Sequence, residues 1–295
     1  MTSISLRCVA AVLVATSATL LTACGYQEGG ASTSPTSANG TASSLAKQAG
    51  VLRVGTNAPF VPMEFYAPDG ATLAGIDIDL ATAVAERLGL KASFSNASWD
   101  GLIPALKAGR HDMLASSFGD FPERRKQVTF VDMLKGGIAG IARAADESRY
   151  PQPSALCGKK VGVANGSATV AVVDTVSARC LEDGGKAVSA QVFPTDREAV
   201  VAVRSGRVDV VLVDRVVAQH LAGTQPQRYA EVLGTIAPDF LYGFAVDENN
   251  PALAQAVATA LDSLIADGTY AEICAKYGIT GGSLVTRATI NGDTQ

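Results

Sequence analysis

Two charged residues of opposite sign, Arg124 and Asp214, stand just beyond predicted strands in separate halves of the chain. Arg124 closes the stretch Ser116-Ser117-Phe118-Gly119-Asp120-Phe121-Pro122-Glu123-Arg124, which leaves a strand and enters a short helix through Pro122. A guanidinium presents a planar fork of N–H donors that matches a carboxylate in bidentate fashion, and the free amides of a helix start add to it. Asp214 ends the apolar run Val208 to Val213 and offers the opposite charge. An anion clamp on one lobe and an anionic partner for an ammonium on the other describe the two ends of an α-amino acid, gripped only when a cleft between them shuts. Each residue also has a plainer role. Arg124, within Glu-Arg-Arg-Lys, suits a solvated surface, and Asp214 suits the N-cap of a helix over Arg215 to Leu221.

Other chemistries lack their parts. No GxSxG, HExxH or Walker-type GxxxxGK pattern occurs, no CxxC pair exists, and the two histidines, His111 and His220, are far apart. A nucleophilic triad, a zinc site and a thiol redox pair therefore have nothing to be built from, and no cofactor is expected. Glu64 and Asp77 are the proton donors an enzyme would have to draft. With 47% apolar and 18% charged residues, the chain of 295 has material for two ordinary cores, which excludes disorder over most of its length.

The first 24 residues read as a targeting segment: Arg7, the apolar and small-residue run Cys8 to Leu21, then the lipobox Leu21-Thr22-Ala23-Cys24. The run is shorter than the ~18 residues of a spanning helix. Cleavage before Cys24 predicts a lipid-modified cysteine, a membrane tether and an extracytoplasmic protein. Removing Arg7 takes the net charge from −4 to −5, and no basic stripe remains to displace counterions from a nucleic acid. Gly25 to Ser44 is Gly, Ser, Thr, Ala and Asn with little apolar bulk, a spacer. Of five cysteines, Cys157 and Cys180 are candidates for a bridge in an oxidising compartment, and Cys274 falls in an apolar helical pattern.

The elements that must position Arg124 and Asp214 alternate β-branched runs with helical patterns, an α/β class. Val51 to Val54 predicts a strand, and Leu80 to Leu88 a helix capped by Asp77 or Asp79 and followed by Gly89. Asp100 is expected to cap a helix over Gly101 to Ala108, with a strand over His111 to Ser116. The second half repeats the device in the helix Asp196 to Arg204, Gly206 and the strand Val208 to Val213. Laying Leu106-Lys107-Ala108-Gly109-Arg110-His111-Asp112-Met113 over Val203-Arg204-Ser205-Gly206-Arg207-Val208-Asp209-Val210 aligns Gly, Arg and Asp, and carries Ser117 onto Asp214. Two similar lobes follow, each with a residue at the carboxyl end of a strand, where open parallel sheets bind ligands. The runs Gly137 to Ala142 and Leu241 to Val246 read as paired crossovers, a hinge, and helices over Pro251 to Ala266 and Tyr270 to Tyr277 return to the first lobe. The expected division is a leader over 1–23, Cys24 and linker through 47, lobe 1 over 48–142, lobe 2 over 143–240, the return over 241–280 and a tail over 281–295.

Several segments together resemble one family. Leu52-Arg53-Val54-Gly55-Thr56, Gly75-Ile76-Asp77-Ile78-Asp79-Leu80, Trp99-Asp100-Gly101-Leu102-Ile103-Pro104-Ala105-Leu106, Pro122-Glu123-Arg124 with Phe130, and Asp267-Gly268-Thr269-Tyr270 look like the polar amino-acid branch of extracellular solute-binding proteins, family 3, which feed ABC importers. The resemblance spans roughly 50–279. It implies a bilobed, periplasmic-binding-protein-like type II fold with two α/β lobes joined by a two-strand hinge. It also implies a monomer that binds an amino acid or related zwitterion, and an ABC permease with its ATPase as partners. It assigns Arg124 to the ligand carboxylate and Asp214 to the α-ammonium. Phe60 and Trp99 become faces of an aromatic sandwich, while Ser117, the backbone at Gly119, and Ser167 add hydrogen bonds. Two positions depart from its pattern: Gly119 and Ala168 stand where a hydroxyl residue is common. Side-chain specificity is expected from Asn57, Met63, Glu64, Asp77 and Phe118. Asn57 replaces the Asp frequent in cation-selective relatives, and Asp77 and Glu64 have structural roles open to them as a helix cap and an intra-lobe hydrogen bond. Rival readings are an ectoine-like ligand, a ligand sensor, or an enzyme of the cyclohexadienyl-dehydratase kind.

Overall fold

The computed structural model describes residues 46–165 and 167–292. The targeting segment, the lipidation at Cys24 and nearly all of the linker fall outside these residues.

The first sheet is built by β1 (Val51–Thr56), β4 (Lys91–Asn96), β5 (Met113–Gly119), β6 (Val128–Gly136), β12 (Phe240–Asp247) and β13 (Leu284–Ile290). A small hairpin of β2 (Phe65–Tyr66) and β3 (Leu73–Ala74) lies beside it in sequence. Its helices are α1 (Ile76–Arg87), α2 (Trp99–Lys107) and the single turn α3 (Pro122–Arg125). The second sheet takes β7 (Ile138–Arg143), β8 (Lys160–Ala164), β9 (Ser189–Phe193), β10 (Val210–Asp214) and β11 (Tyr229–Val232). It carries α4 (Thr169–Glu182), α5 (Asp196–Arg204) and α6 (Arg215–Thr224). The chain then returns through α7 (Pro251–Ala266) and α8 (Thr269–Lys276).

Strand order is β13-β6-β12-β5-β1-β4 in one sheet and β11-β7-β10-β8-β9 in the other. The two share one plan. β5 lies between parallel β1 and antiparallel β12, and β10 lies between parallel β8 and antiparallel β7. In each, the antiparallel neighbour is a strand that has just crossed from, or back to, the other sheet. This is the bilobed, two-crossing α/β architecture expected from the sequence.

The central strands bury both faces, so their apolar runs are nearly continuous. Along β10, Val210 and Leu212 point into one core cluster, Val211 and Val213 into another. Along β5, Met113 and Ala115 join the core against α1 and α7, while Leu114 and Phe118 pack against α2.

The echo has a physical basis. Gly109 and Gly206 both take left-handed backbone angles, φ 71° and 76°, at the ends of α2 and α5. The next amides fold back identically, Arg110 N to Ala105 O and Arg207 N to Ala202 O, both at 2.9 Å. The aligned acids do the same work: Asp112 Oδ2 accepts from Arg53 N at 3.0 Å and Asp209 Oδ2 from Lys160 N at 2.9 Å, each locking the parallel neighbour strand in register.

Several boundaries differ from expectation. β7 belongs to the second sheet, so the chain leaves the first at Gly137 rather than after Ala142. Residues 284–290, expected as tail, form the edge strand β13 and bury Val285. α1 starts at Ile76 with Gly75 at the N-cap position, and α2 starts at Trp99 after Ser98, so none of Asp77, Asp79 and Asp100 caps a helix. Cys157 and Cys180 are bonded, closing a separation of 23 residues, and Cys274 is a buried free thiol. Bridging that loop stabilises the second lobe by about 3 kcal/mol in the chain-entropy model. Among the described residues no helix is long and apolar enough to cross a membrane, and no group of side chains is arranged to hold a metal ion.

Candidate functional site

Arg124 sits on α3, whose first turn is set by Pro122 and by amides of Arg124 and Arg125 donating to Phe121 O. Its Nη1 donates to Gly119 O at 3.0 Å. The guanidinium lies 5.4 Å from the Trp99 ring centre, 5.7 Å from Phe118 and 5.3 Å from Phe121. Trp99 and Phe118 are themselves stacked, 4.3 Å apart and 14° from parallel. No ion pair among the described residues includes Arg124, and burial draws its pKa below the ordinary guanidinium value, with Tyr242 opposing. A partly buried cation held against aromatic faces with one carbonyl partner retains donors for an anion.

Trp99 is 40% exposed although its ring covers buried Phe118, so its outer face is available to a guest. Phe60 packs against the first lobe's core and exchanges backbone bonds with Glu64; no ring contact joins it to Trp99 among the described residues. Asn57 is anchored twice, Asn57 N to Ser116 Oγ at 3.0 Å and Asn57 Nδ2 to Ala97 O at 2.6 Å, which leaves its Oδ1 as an acceptor.

Asp77 is fully buried and works inside the lobe. Its Oδ2 accepts from Ser117 N at 2.5 Å and from Ser117 Oγ at 3.0 Å. Ser117 has φ 46°, unusual for a residue with a Cβ, and the Asp77 bonds hold it there. Glu64, also buried, accepts from Ser116 Oγ at 2.7 Å. Burial pushes the Glu64 pKa up, with Asp77 adding to it, and burial likewise raises Asp77 against the pull of Glu64 and Ser117. The two carboxyl groups thus share a proton, which accounts for the otherwise unpartnered Glu64 Oε2 and Asp77 Oδ1. The expected cap role of Asp77 gives way to this one, and the intra-lobe hydrogen bond of Glu64 is present. Met63 is fully buried and faces the core.

Gly119, where a hydroxyl residue is expected, lies tight against a neighbouring ring. A Cβ there would come within 2.4 Å of the Phe121 ring, the same ring that covers Arg124.

From the second lobe, Asp214 ends β10 and occupies the N-cap position of α6, yet its side chain makes no capping bond. Burial raises its pKa to about 6, Asp196 adds to the rise, and a hydrogen bond with Tyr242 holds it down. Tyr242 lies on β12, so this contact joins the lobes beside the hinge. Ser167 Oγ donates to Ala164 O at 2.8 Å and lies 2.6 Å from Thr169 Oγ1, while Ala168 is the N-cap residue of α4. Arg124, Trp99, Phe118, Gly119, Ser117 and Asp77 thus form one connected group in the first lobe. Asp214 and Ser167 stand in the second. Phe121 lies beside the Arg124 guanidinium and Tyr242 beside Asp214, and neither is among the residues the sequence singles out; an aromatic just before Pro122 is the available signal for the first. A cavity of about 500 Å³ beside the disulfide, lined in part by Pro153, Val172 and Ile236, contains none of these residues.

Residues 52–280 match the bacterial extracellular solute-binding proteins, family 3. The arginine-binding protein ArgT of Corynebacterium glutamicum is 35% identical over 247 residues, covering 83% of this chain and 79% of its own. A solved ancestral arginine-binding protein bound to arginine is 36% identical, with a TM-score of 0.57 over 77% of this chain and 98% of that one. A solved ancestral amino-acid-binding protein named as a precursor of cyclohexadienyl dehydratase is 30% identical, with a TM-score of 0.61 over 81% and 99%. With that match over most of its length, the chain belongs to the bacterial extracellular solute-binding proteins, family 3.

Proposed function

We propose that the protein is an extracytoplasmic binding lipoprotein, tethered through Cys24, that closes on a polar amino acid and delivers it to the permease of an ABC importer. The observation that carries this reading is the Arg124 guanidinium, unpaired by any carboxylate among the described residues and surrounded by three rings, with the Asp214 carboxylate, which makes no capping bond, supplied by the other lobe. The first meets the ligand's carboxylate and the second its ammonium. Ser117, expected to bond the ligand, instead gives its amide and hydroxyl to Asp77 and so fixes the strand end beside Arg124.

Arginine is the ligand to test first. The names of two relatives support it, and the Asn57 Oδ1 acceptor and the free face of Trp99 suit a guanidinium or an amide equally. Glu64 and Asp77 are spent on Ser116, Ser117 and each other, which argues against their use as catalytic acids. Titration calorimetry with L-arginine, L-glutamine and ectoine tests the reading. Binding of an amino acid that is lost in both Arg124→Ala and Asp214→Ala supports it; unchanged affinity in both variants rejects it.

A further inference from the structure

The family match ends at residue 280, and the chain then adds an edge strand whose end is tied to the neighbourhood of Arg124. β13 pairs with β6 at Thr289 opposite Asp132 and Ile290 opposite Val131. Asn291 N donates to Phe130 O at 3.1 Å, and Phe130 N donates to Asn291 Oδ1 at 2.8 Å. Asp132, fully buried, accepts from Thr289 Oγ1 at 2.7 Å and from Gly292 N at 2.9 Å. Gly292 O accepts from Arg125 Nη2 at 2.6 Å, and Arg125 Nε donates to Asp120 Oδ1 at 2.5 Å. An unbroken set of bonds therefore runs from the C-terminal strand through Arg125 to the residue beside Gly119, the partner of Arg124.

The remaining oxygens, Asp120 Oδ2 and Asp132 Oδ1, are buried without a donor among the described residues. Asp120 is ion-paired with Arg125, whereas among the described residues Asp132 meets only the neutral donors Thr289 and Gly292, so Asp132 is the carboxyl that holds a proton toward Asp120. Burial pushes Asp132 up, Thr289 and Gly292 pull it down, and Asp120 pushes it up again.

We propose that Asp120, Arg125 and Asp132, closed by the backbone of Gly292, form a latch through which the C-terminal strand positions Arg124 for the ligand's carboxylate. A helix of four residues has too few internal bonds to hold its own place, so α3 takes its position from its ends and its side chains. Pro122 and Phe121 set the entry; Arg125 sets the exit. These are positioning residues, and the inference rests on the role given to Arg124 above.

The test uses the full chain with L-arginine and with argininamide, which lacks the α-carboxylate, together with amide hydrogen exchange over 121–127 in the ligand-free protein. Arg125→Met and Asp132→Ala are expected to weaken L-arginine binding at least about tenfold, to lower its preference over argininamide, and to speed exchange in α3. Asp132→Asn reproduces the protonated carboxyl, keeping an acceptor for Thr289 and Gly292 and a donor for Asp120, and is expected to bind within about threefold of the native protein. A merely structural role would move stability and leave the argininamide preference unchanged. Native affinity and native exchange in both Arg125→Met and Asp132→Ala overturn the latch, as does an Asp132→Asn variant as impaired as Asp132→Ala. Arg124→Ala run in parallel separates the two claims: if it binds L-arginine normally, or if the native protein does not bind it, the site reading fails and exchange in α3 alone judges the latch.

Discussion

Ser117 and Asp214 occupy twin positions at the ends of twin strands, and their surroundings are opposite in kind. β5 and β10 have the same parallel and antiparallel neighbours, and the same Gly and Asp devices precede them. In the first lobe the strand end is fastened from below, with Asp77 binding Ser117 twice, Glu64 binding Ser116, and three rings surrounding Arg124. In the second lobe the strand runs straight into α6, and Asp214 offers a carboxylate that caps nothing. The comparison teaches a division of labour. One lobe fixes its strand end through buried acids and holds Arg124 among rings, while the other leaves a carboxylate at its strand end; on the proposed function that acceptor meets the ligand on closure.

The strongest way to break this comparison is to remove either end of the grip. Arg124→Ala and Asp214→Ala are each expected to cost about 2 kcal/mol or more in calorimetric affinity, because the ligand charge left behind is desolvated and unpaired. Replacing Cys157 and Cys180 together by serine should lower the unfolding free energy by about 3 kcal/mol, read by denaturant titration, with little change in the first lobe. Asp77→Ala leaves the Ser117 amide and Glu64 without their partner. A loss of about 2 kcal/mol in stability is expected, with weaker ligand binding as Ser117 relaxes from φ 46°. The first-lobe cradle and the second-lobe disulfide thus make separable predictions: the former couples stability to affinity, the latter does not.

Gly119→Ser sharpens the same point at a smaller scale. It restores a hydroxyl but drives a Cβ against the Phe121 ring, so affinity should fall by about 1 kcal/mol, and Phe121→Ala should relieve the clash in the double variant. A further expected effect is in pH. Asp214 must be an anion to receive an ammonium, and its ligand-free pKa lies at about 6. Affinity is therefore expected to be flat above neutrality and to fall toward about tenfold per unit below pH 6, as protonation competes with the ligand.

The repeated device was legible because it depends on local chemistry. Glycine at a helix end and an acid that clasps the next strand carry the same letters at the same spacing in both lobes. The Cys157–Cys180 bridge was legible from the cysteine count and their shared segment, and the positions of Arg124 and Asp214 beyond strand ends from the apolar runs before them. What escaped depended on partners distant in sequence. Asp77 reads as a helix cap until Gly75 takes that position and Ser117, forty residues on, takes the carboxylate. The strand Leu284–Ile290 follows a glycine-rich turn and is only half buried, so it looks like a tail until it lies beside β6. Neither buried pair of acids, Glu64 with Asp77 or Asp132 beside Asp120, has any local signature, since each joins residues from different elements.

The central claim is that Arg124 and Asp214 hold opposite ends of one guest, and a crystal structure with L-arginine tests it most directly. Guanidinium nitrogens of Arg124 are expected about 3 Å from the ligand carboxylate, and Asp214 at a similar distance from its ammonium. An amino acid bound elsewhere, with Arg124 still turned to Gly119 alone and Asp214 still beside Tyr242, would contradict it.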